Sequence, residues 1–244
     1  MLCGSAALRG GCLYSLPQKL LAEFIGTFTV VFITVGSICA DQYLRAQSLS
    51  HLGILAEAAA YGIAASVMVA ALAQLSGAHF NPAITAGFWV TKRMGTLQAI
   101  LYCVAQMVGA MAAAYILARL LPESIWRPVG LGATDLVTDF TRMQAMLLEG
   151  LGTFFVVFVF FAGTQQTSGS TSPYAGIGVG LTIAMDVLVL QPFTGASMNP
   201  ARSFGPALVA HHWVNHGVYW VGPLFGGVVG AFAYDRLFGV ERER

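Results

Sequence analysis

The sequence predicts an all-α membrane protein: six transmembrane helices plus two re-entrant half-helices, arranged as an inverted internal repeat. Three observations predict it. Of the 244 residues 57% are hydrophobic and only 9% charged, with a mean hydropathy of +0.71; a soluble domain carries about 25% charged residues. Apolar runs long enough to cross a bilayer recur, three in each half of the chain. Third, a short motif is written twice. Residues 76–83 read Ser-Gly-Ala-His-Phe-Asn-Pro-Ala and residues 194–201 read Thr-Gly-Ala-Ser-Met-Asn-Pro-Ala. Six of the eight positions match in residue or residue type, and Asn81 and Asn199 lie 118 positions apart.

The elements follow in order. Residues 1–18 read as a cytoplasmic N-terminal tail, because Arg9 interrupts any signal-peptide core. Residues 19–121 form the first repeat, with spans at about 20–40, 52–75 and 97–121. The polar stretch 122–142, the longest loop, is the extracellular connection between halves. Residues 143–238 form the second repeat, with spans at about 145–162, 174–190 and 218–237, and residues 239–244 are a charged cytoplasmic tail. Residues 164–173 are an uncharged Ser/Thr/Gly/Gln loop. The start of the fourth span, Glu149 to Phe154, echoes Glu23 to Phe28 with a similar Glu…Gly-Thr-Phe pattern, so the repeat extends beyond the short motif. Three spans per half is an odd number, which inverts the second repeat. Placing both termini inside puts seven cations (Arg9, Lys19, Lys92, Arg93, Arg236, Arg242, Arg244) on the cytoplasmic side. Four (Arg45, Arg119, Arg127, Arg142) then lie outside. Small residues four apart, Gly109/Ala113, Gly176/Gly180 and Gly226/Gly230, mark close helix contacts.

Each motif copy has its own physics. Asn is a preferred N-cap and Pro the favoured first helical residue. Asn81 and Asn199 should therefore cap helices over 82–90 and 200–210, both too short to span. Irregular backbone at membrane depth survives only where it is buried in protein or lines a wet cavity. Two half-helices meeting at their N-termini bring two positive dipole ends and two carboxamides to one point. Arg202 lies three positions past Asn199, where a cation opposes the helix dipole. Burying it at membrane depth costs about 2.5–3.5 kcal/mol, so its place points to function: donating to a permeating oxygen and repelling cations. Glu23 and Glu149 sit at matched repeat positions and read as loop-supporting acids that accept bonds from the re-entrant backbone. His79 reads as a hydrogen-bonded structural residue in preference to a pH gate, Asp186 as pointing off the pore, and Glu57 as lining the outer vestibule.

The paired, flanked Asn-Pro-Ala (Asn81-Pro82-Ala83 and Asn199-Pro200-Ala201) resembles the signature of the aquaporin, or major intrinsic protein, family. The resemblance covers nearly the whole chain. It implies the aquaporin fold, an hourglass pore in every subunit, a homotetramer in the lipid bilayer, and water as the permeant. Motif to motif, the family's selectivity constriction falls on Tyr61, Val187, Ala196 and Arg202. Val187 stands where water-specific members resemble His, and Ala196 is small, so the opening is wider and less polar. That pattern looks closest to aquaporin-8-like and tonoplast-type channels, which also pass ammonia, urea or hydrogen peroxide. Ser203, Ala207 and Tyr219-Trp220 depart from the pattern of glycerol facilitators. The backbone carbonyls of Gly77, Ala78, His79, Phe80, Gly195, Ala196, Ser197 and Met198 would form an acceptor ladder. The two asparagines would donate to one central water, filling both its lone pairs and breaking the proton wire.

A passive channel for water and small neutral solutes is therefore the expectation, in the plasma membrane. A secondary transporter with broken helices and a junction or scaffold protein with a vestigial pore are the alternatives. The first lacks a charged coupling pair, and the intact Asn81, Asn199 and Arg202 argue against the second. No nucleophile, base and orienter set suggests an enzyme. Cys3, Cys12, Cys39 and Cys103 show no metal or disulfide spacing, no cofactor motif occurs, and a net charge of +1 gives no argument for nucleic acid.

Overall fold

In the computed structural model, residues 14–163 and 174–238 are described. The expected C-terminal tail, most of the N-terminal tail and the 164–173 loop lie outside the described residues. The chain forms α1 (Leu16–Ala46), α2 (Gly53–Ser76), α3 (Pro82–Val90), α4 (Thr96–Leu120), α5 (Glu123–Trp126), a 3₁₀ turn (Arg127–Gly132), α6 (Arg142–Gly163), α7 (Ala175–Thr194), α8 (Pro200–Ala210) and α9 (Val218–Phe238). There is no strand among the described residues.

Five helices, α1, α2, α4, α6 and α7, are long and apolar enough to cross a membrane. The sixth, α9, has 21 residues, the length of a span; its several glycines, Asp235 and Arg236 lower its hydropathy. The half-helices α3 and α8 have 9 and 11 residues. Both are too short to span, as their sequences predict.

Three helix ends differ most from the sequence reading. Helix α1 begins at Leu16, inside the stretch read as tail, and runs to Ala46, beyond the expected end at residue 40. The early start has a local cause. The Gln18 side-chain oxygen accepts the Ser15 N–H at 2.7 Å, and Pro17 pre-sets the first turn. At the other end, Asp41 accepts from Arg45 Nε at 2.6 Å and from the Gly53 N–H at 2.9 Å. One carboxylate thus extends α1 and serves as a cap for α2, leaving a turn of only a few residues. Helix α7 likewise runs past residue 190 to Thr194, with Pro192 tolerated in its last turns and Gly195 closing it in the left-handed region.

Packing follows the repeat. Helix α1 lies along α4 in the first half and α6 along α9 in the second, while α2 and α7 meet across the halves. Small residues set these distances. A Cβ on Gly226 would stand 1.9 Å from the Gly150 carbonyl oxygen, and one on Gly180 would stand 2.2 Å from the Gly62 oxygen. Any larger residue would separate the helices. The main apolar core, including Val30, Ile84, Phe160 and Ile183, lies around the meeting point of the half-helices.

Candidate functional site

The site begins with two chain reversals. Gly77 (φ 92°) and Gly195 (φ 76°) end α2 and α7 in the left-handed region. Beyond each, the backbone stays unusual: Ala78, Phe80, Ala196 and Met198 all have φ between 48° and 56°. Three positive φ values within four residues of each loop prevent helix or strand. It is the irregular backbone that needs protein burial at this depth.

The two acids supply that support. Glu23 Oε1 accepts from Ser76 Oγ (2.7 Å) and the His79 N–H (3.0 Å), while Oε2 accepts from the Phe80 N–H and Gln106 Nε2, both at 2.8 Å. Glu149 repeats the scheme. Its Oε1 accepts from Thr194 Oγ1 (2.6 Å) and the Ser197 N–H (2.9 Å), and its Oε2 from the Met198 N–H (2.6 Å). Both carboxylates have no solvent exposure. An acceptor-only group facing only donors is the chemically matched choice.

The motif's mismatch in polar chemistry, His79 against Ser197, conceals an equivalent role. His79 Nδ1 lies 3.1 Å from Thr85 Oγ1, and Ser197 Oγ bonds Ser203 Oγ. Each ties its loop to the residue six positions on, in the half-helix that follows. The His79 ring also packs on Phe88 at 4.3 Å.

At the centre the two repeats exchange hydrogen bonds. Asn81 Nδ2 donates to the Met198 carbonyl at 2.8 Å, and Asn199 Nδ2 donates to the Phe80 carbonyl at 3.0 Å. Each side-chain oxygen caps its own half-helix: Asn81 accepts the Ala83 N–H at 2.8 Å, and Asn199 the Ala201 N–H at 3.0 Å. With Oδ1 and one N–H of each amide committed, rotation is blocked and the second N–H is left to donate elsewhere. Beside them is a cavity of about 30 Å³, lined by Tyr61, Asn81 and Asn199 and by apolar side chains such as Ile84, Phe160 and Ile183. A site needs about 10–15 Å³ to hold one water.

The remaining predicted residues fall beside this point. Tyr61, Val187 and Ala196 belong to the central core, each 1–2% exposed. The Tyr61 hydroxyl donates to the Ser197 carbonyl at 3.2 Å, so it is held against the second loop. Arg202 is 2% exposed; its Nη1 donates to the Gly132 carbonyl at 2.7 Å, and Nε has no protein partner. The loop that offers Gly132 is itself strapped down. Thr134 Oγ1 lies 2.9 Å from Ser203 Oγ, Asp135 pairs with His212 at 2.9 Å, and the Val137 N–H donates to the Phe193 carbonyl at 3.0 Å. Glu57 does not stand free in a vestibule: it is 8% exposed and accepts from Gln191 Nε2. Asp186 is 6% exposed, and its Oδ2 has no protein partner.

Sequence reasoning missed four supporting residues. Tyr102 and Tyr219 donate to the Ser76 and Thr194 carbonyls, both at 2.8 Å, at matched places in the two repeats. Gln106 joins Glu23 to Thr85, and Thr134 holds the connecting loop. Laying the second repeat on the first at an offset of about 118 exposes the tyrosine pair. Gln106 and Thr134 have no counterpart that such an overlay would reveal.

Comparison with known proteins agrees with this geometry. Residues 13–234 match the family model "Major intrinsic protein". The chain is 39% identical to "Probable aquaporin TIP3-2" of Arabidopsis thaliana, over 90% of this chain and 83% of that protein. It is 40% identical to "Aquaporin TIP4-4" of Zea mays (91% and 86% covered). Against "Aquaporin-4" of Mus musculus the identity is 32% (95% and 71% covered). Among solved structures the aquaglyceroporin from Plasmodium falciparum superposes with a TM-score of 0.81 at 21% identity, covering 91% of this chain and 97% of that one. This last likeness concerns the fold.

Proposed function

Because this chain belongs to the major intrinsic protein family, a family of membrane channels, we propose that it is a passive channel for water that excludes ions and protons and also admits a small neutral solute. The observation that carries the reading is the exchange of bonds between Asn81 and Met198 and between Asn199 and Phe80. It fixes two amide donors at the N-termini of α3 and α8. A water between them has both lone pairs filled and cannot accept a proton from its neighbours. The two dipole ends add a barrier to cations.

In this reading Tyr61, Val187, Ala196 and Arg202 form the selectivity constriction, and the carbonyls of residues 77–80 and 195–198 form the acceptor ladder. Val187 and Ala196 offer no side-chain hydrogen bond, which favours a tolerant opening. Both termini are cytoplasmic by the cation count, the two repeats are joined by the 122–142 connection, and the channel is a homotetramer. A coupled transporter is disfavoured by a specific feature: Glu23 and Glu149, the acids beside the pore loops, face backbone and side-chain donors, so neither of these two carboxylates is free to carry a proton or ion.

Stopped-flow light scattering on proteoliposomes tests this. Water flux should rise linearly with the osmotic gradient and depend weakly on temperature. Vesicles that shrink no faster than protein-free ones would refute it. Ala196→Phe should cut urea or ammonia flux by a larger factor than water flux. Equal losses would mean that the constriction lies elsewhere.

A further inference from the structure

An apolar hollow lies away from the pore, on the outer face of the bundle. It has a volume of about 480 Å³ and follows α4 from Thr96 to Met107, with α3 as its floor and Trp220 and Leu224 of α9 on the far side. Its two hydroxyls are already engaged: Thr96 Oγ1 accepts from Trp89 Nε1 at 3.0 Å, and Thr85 Oγ1 bonds His79 and Gln106. A polar solute would find no partner there.

Two features identify the occupant. From Thr96 to Met107 the helix advances eleven residues, roughly 16 Å at about 1.5 Å per residue. That is the hydrocarbon depth of one leaflet, half of roughly 30 Å. At the end of the groove that meets the membrane surface, Lys92 follows α3 with its side chain exposed, and no described residue forms an ion pair with it. The neighbouring Arg93 is turned inward, paired with Asp235 at 2.5 Å and stacked on Phe161 at 4.4 Å. Trp89, 46% exposed, lines the hollow three residues before Lys92, an indole of the kind found at membrane interfaces. A dry slot one leaflet deep, with Lys92 exposed at its polar end and in no ion pair among the described residues, matches one acyl chain and the phosphate attached to it.

We propose that this groove binds an anionic phospholipid from the leaflet on the Lys92 side, its acyl chain along α4 and its headgroup on Lys92. The bound chain bears directly on Pro82 and Thr85 of the half-helix that Asn81 caps.

Trp89 and Trp220, which both line the groove, report its occupancy. Trp126→Phe and Trp213→Phe leave these two as the only indoles. The protein is then reconstituted with chain-brominated phosphatidylglycerol or chain-brominated phosphatidylcholine, and quenching is measured. The anionic lipid should bind about fivefold better, the contribution of one near-surface cation. Lys92→Gln should bring that ratio to about one. Ala86→Phe, which fills the groove, should lower quenching by both lipids while the vesicles still shrink rapidly. Since Lys92 is exposed, its variant decides the matter even if Ala86→Phe fails to fold. Equal quenching by the two lipids, or a preference that survives Lys92→Gln, would overturn the proposal. So would indoles that neither lipid quenches, the result expected if a second copy of the chain fills the groove.

Discussion

Replacing Glu149 with alanine should collapse the second pore loop and abolish water permeation. Three buried donors lose their only carboxylate: Thr194 Oγ1 and the N–H groups of Ser197 and Met198. Each unsatisfied buried donor costs about 1–3 kcal/mol, so the loss is roughly 3–9 kcal/mol, comparable with the whole stability of many domains. The Met198 carbonyl, which accepts from Asn81, moves with the loop. Thermal unfolding in detergent and vesicle shrinkage read the two effects. Glu149→Gln should fall between, because its amide nitrogen turns a donor toward donors. Glu23→Ala should behave like Glu149→Ala in the other loop. An alanine variant with normal melting and normal water flux would show that the acids are not the tethers.

The second large effect concerns charge selection. Arg202→Val should leave water flux largely intact and raise proton and cation leak. A unit charge roughly 5 Å from the guanidinium is disfavoured by roughly 3 kcal/mol at an effective dielectric of about 20, equivalent to about a hundredfold in rate. The variant should not unfold. The guanidinium has one described carbonyl bond, to Gly132, and leaves Nε unpartnered, so its removal relieves a desolvation penalty. A pH-sensitive dye trapped in proteoliposomes measures the leak. An unchanged leak would place the cation barrier at the asparagines alone.

The half-helices were legible because their signals are local. Asn before Pro is a cap whatever surrounds it, and two copies at half-chain spacing leave few topologies. The acids were legible because a charge in an apolar run at matched repeat positions requires donors nearby. The connecting segment 122–142 was less so. It reads as a polar loop, yet it supplies Gly132 to Arg202 and Thr134 to Ser203. A backbone carbonyl carries no residue signature, so no pattern marks Gly132 as the anchor. Glu57 misled for a related reason. Its partner, Gln191, comes from another helix 134 positions away. The far end of α1 shifted because a side chain within the helix, Asp41, caps the next one, a contact that depends on where α2 returns.

The exchanged amide bonds also impose an order on biosynthesis. Asn81 leaves the ribosome 117 residues ahead of Met198, whose carbonyl it needs. At about 5–20 residues per second the wait is roughly 6–24 s. Through that interval the first half must sit in or beside the translocon with its central donor unpaired. Neither half can complete its own pore lining. Each stays an unfinished mould until the other arrives, and a chain truncated before Met198 would enter quality control as a span-rich but poreless fragment.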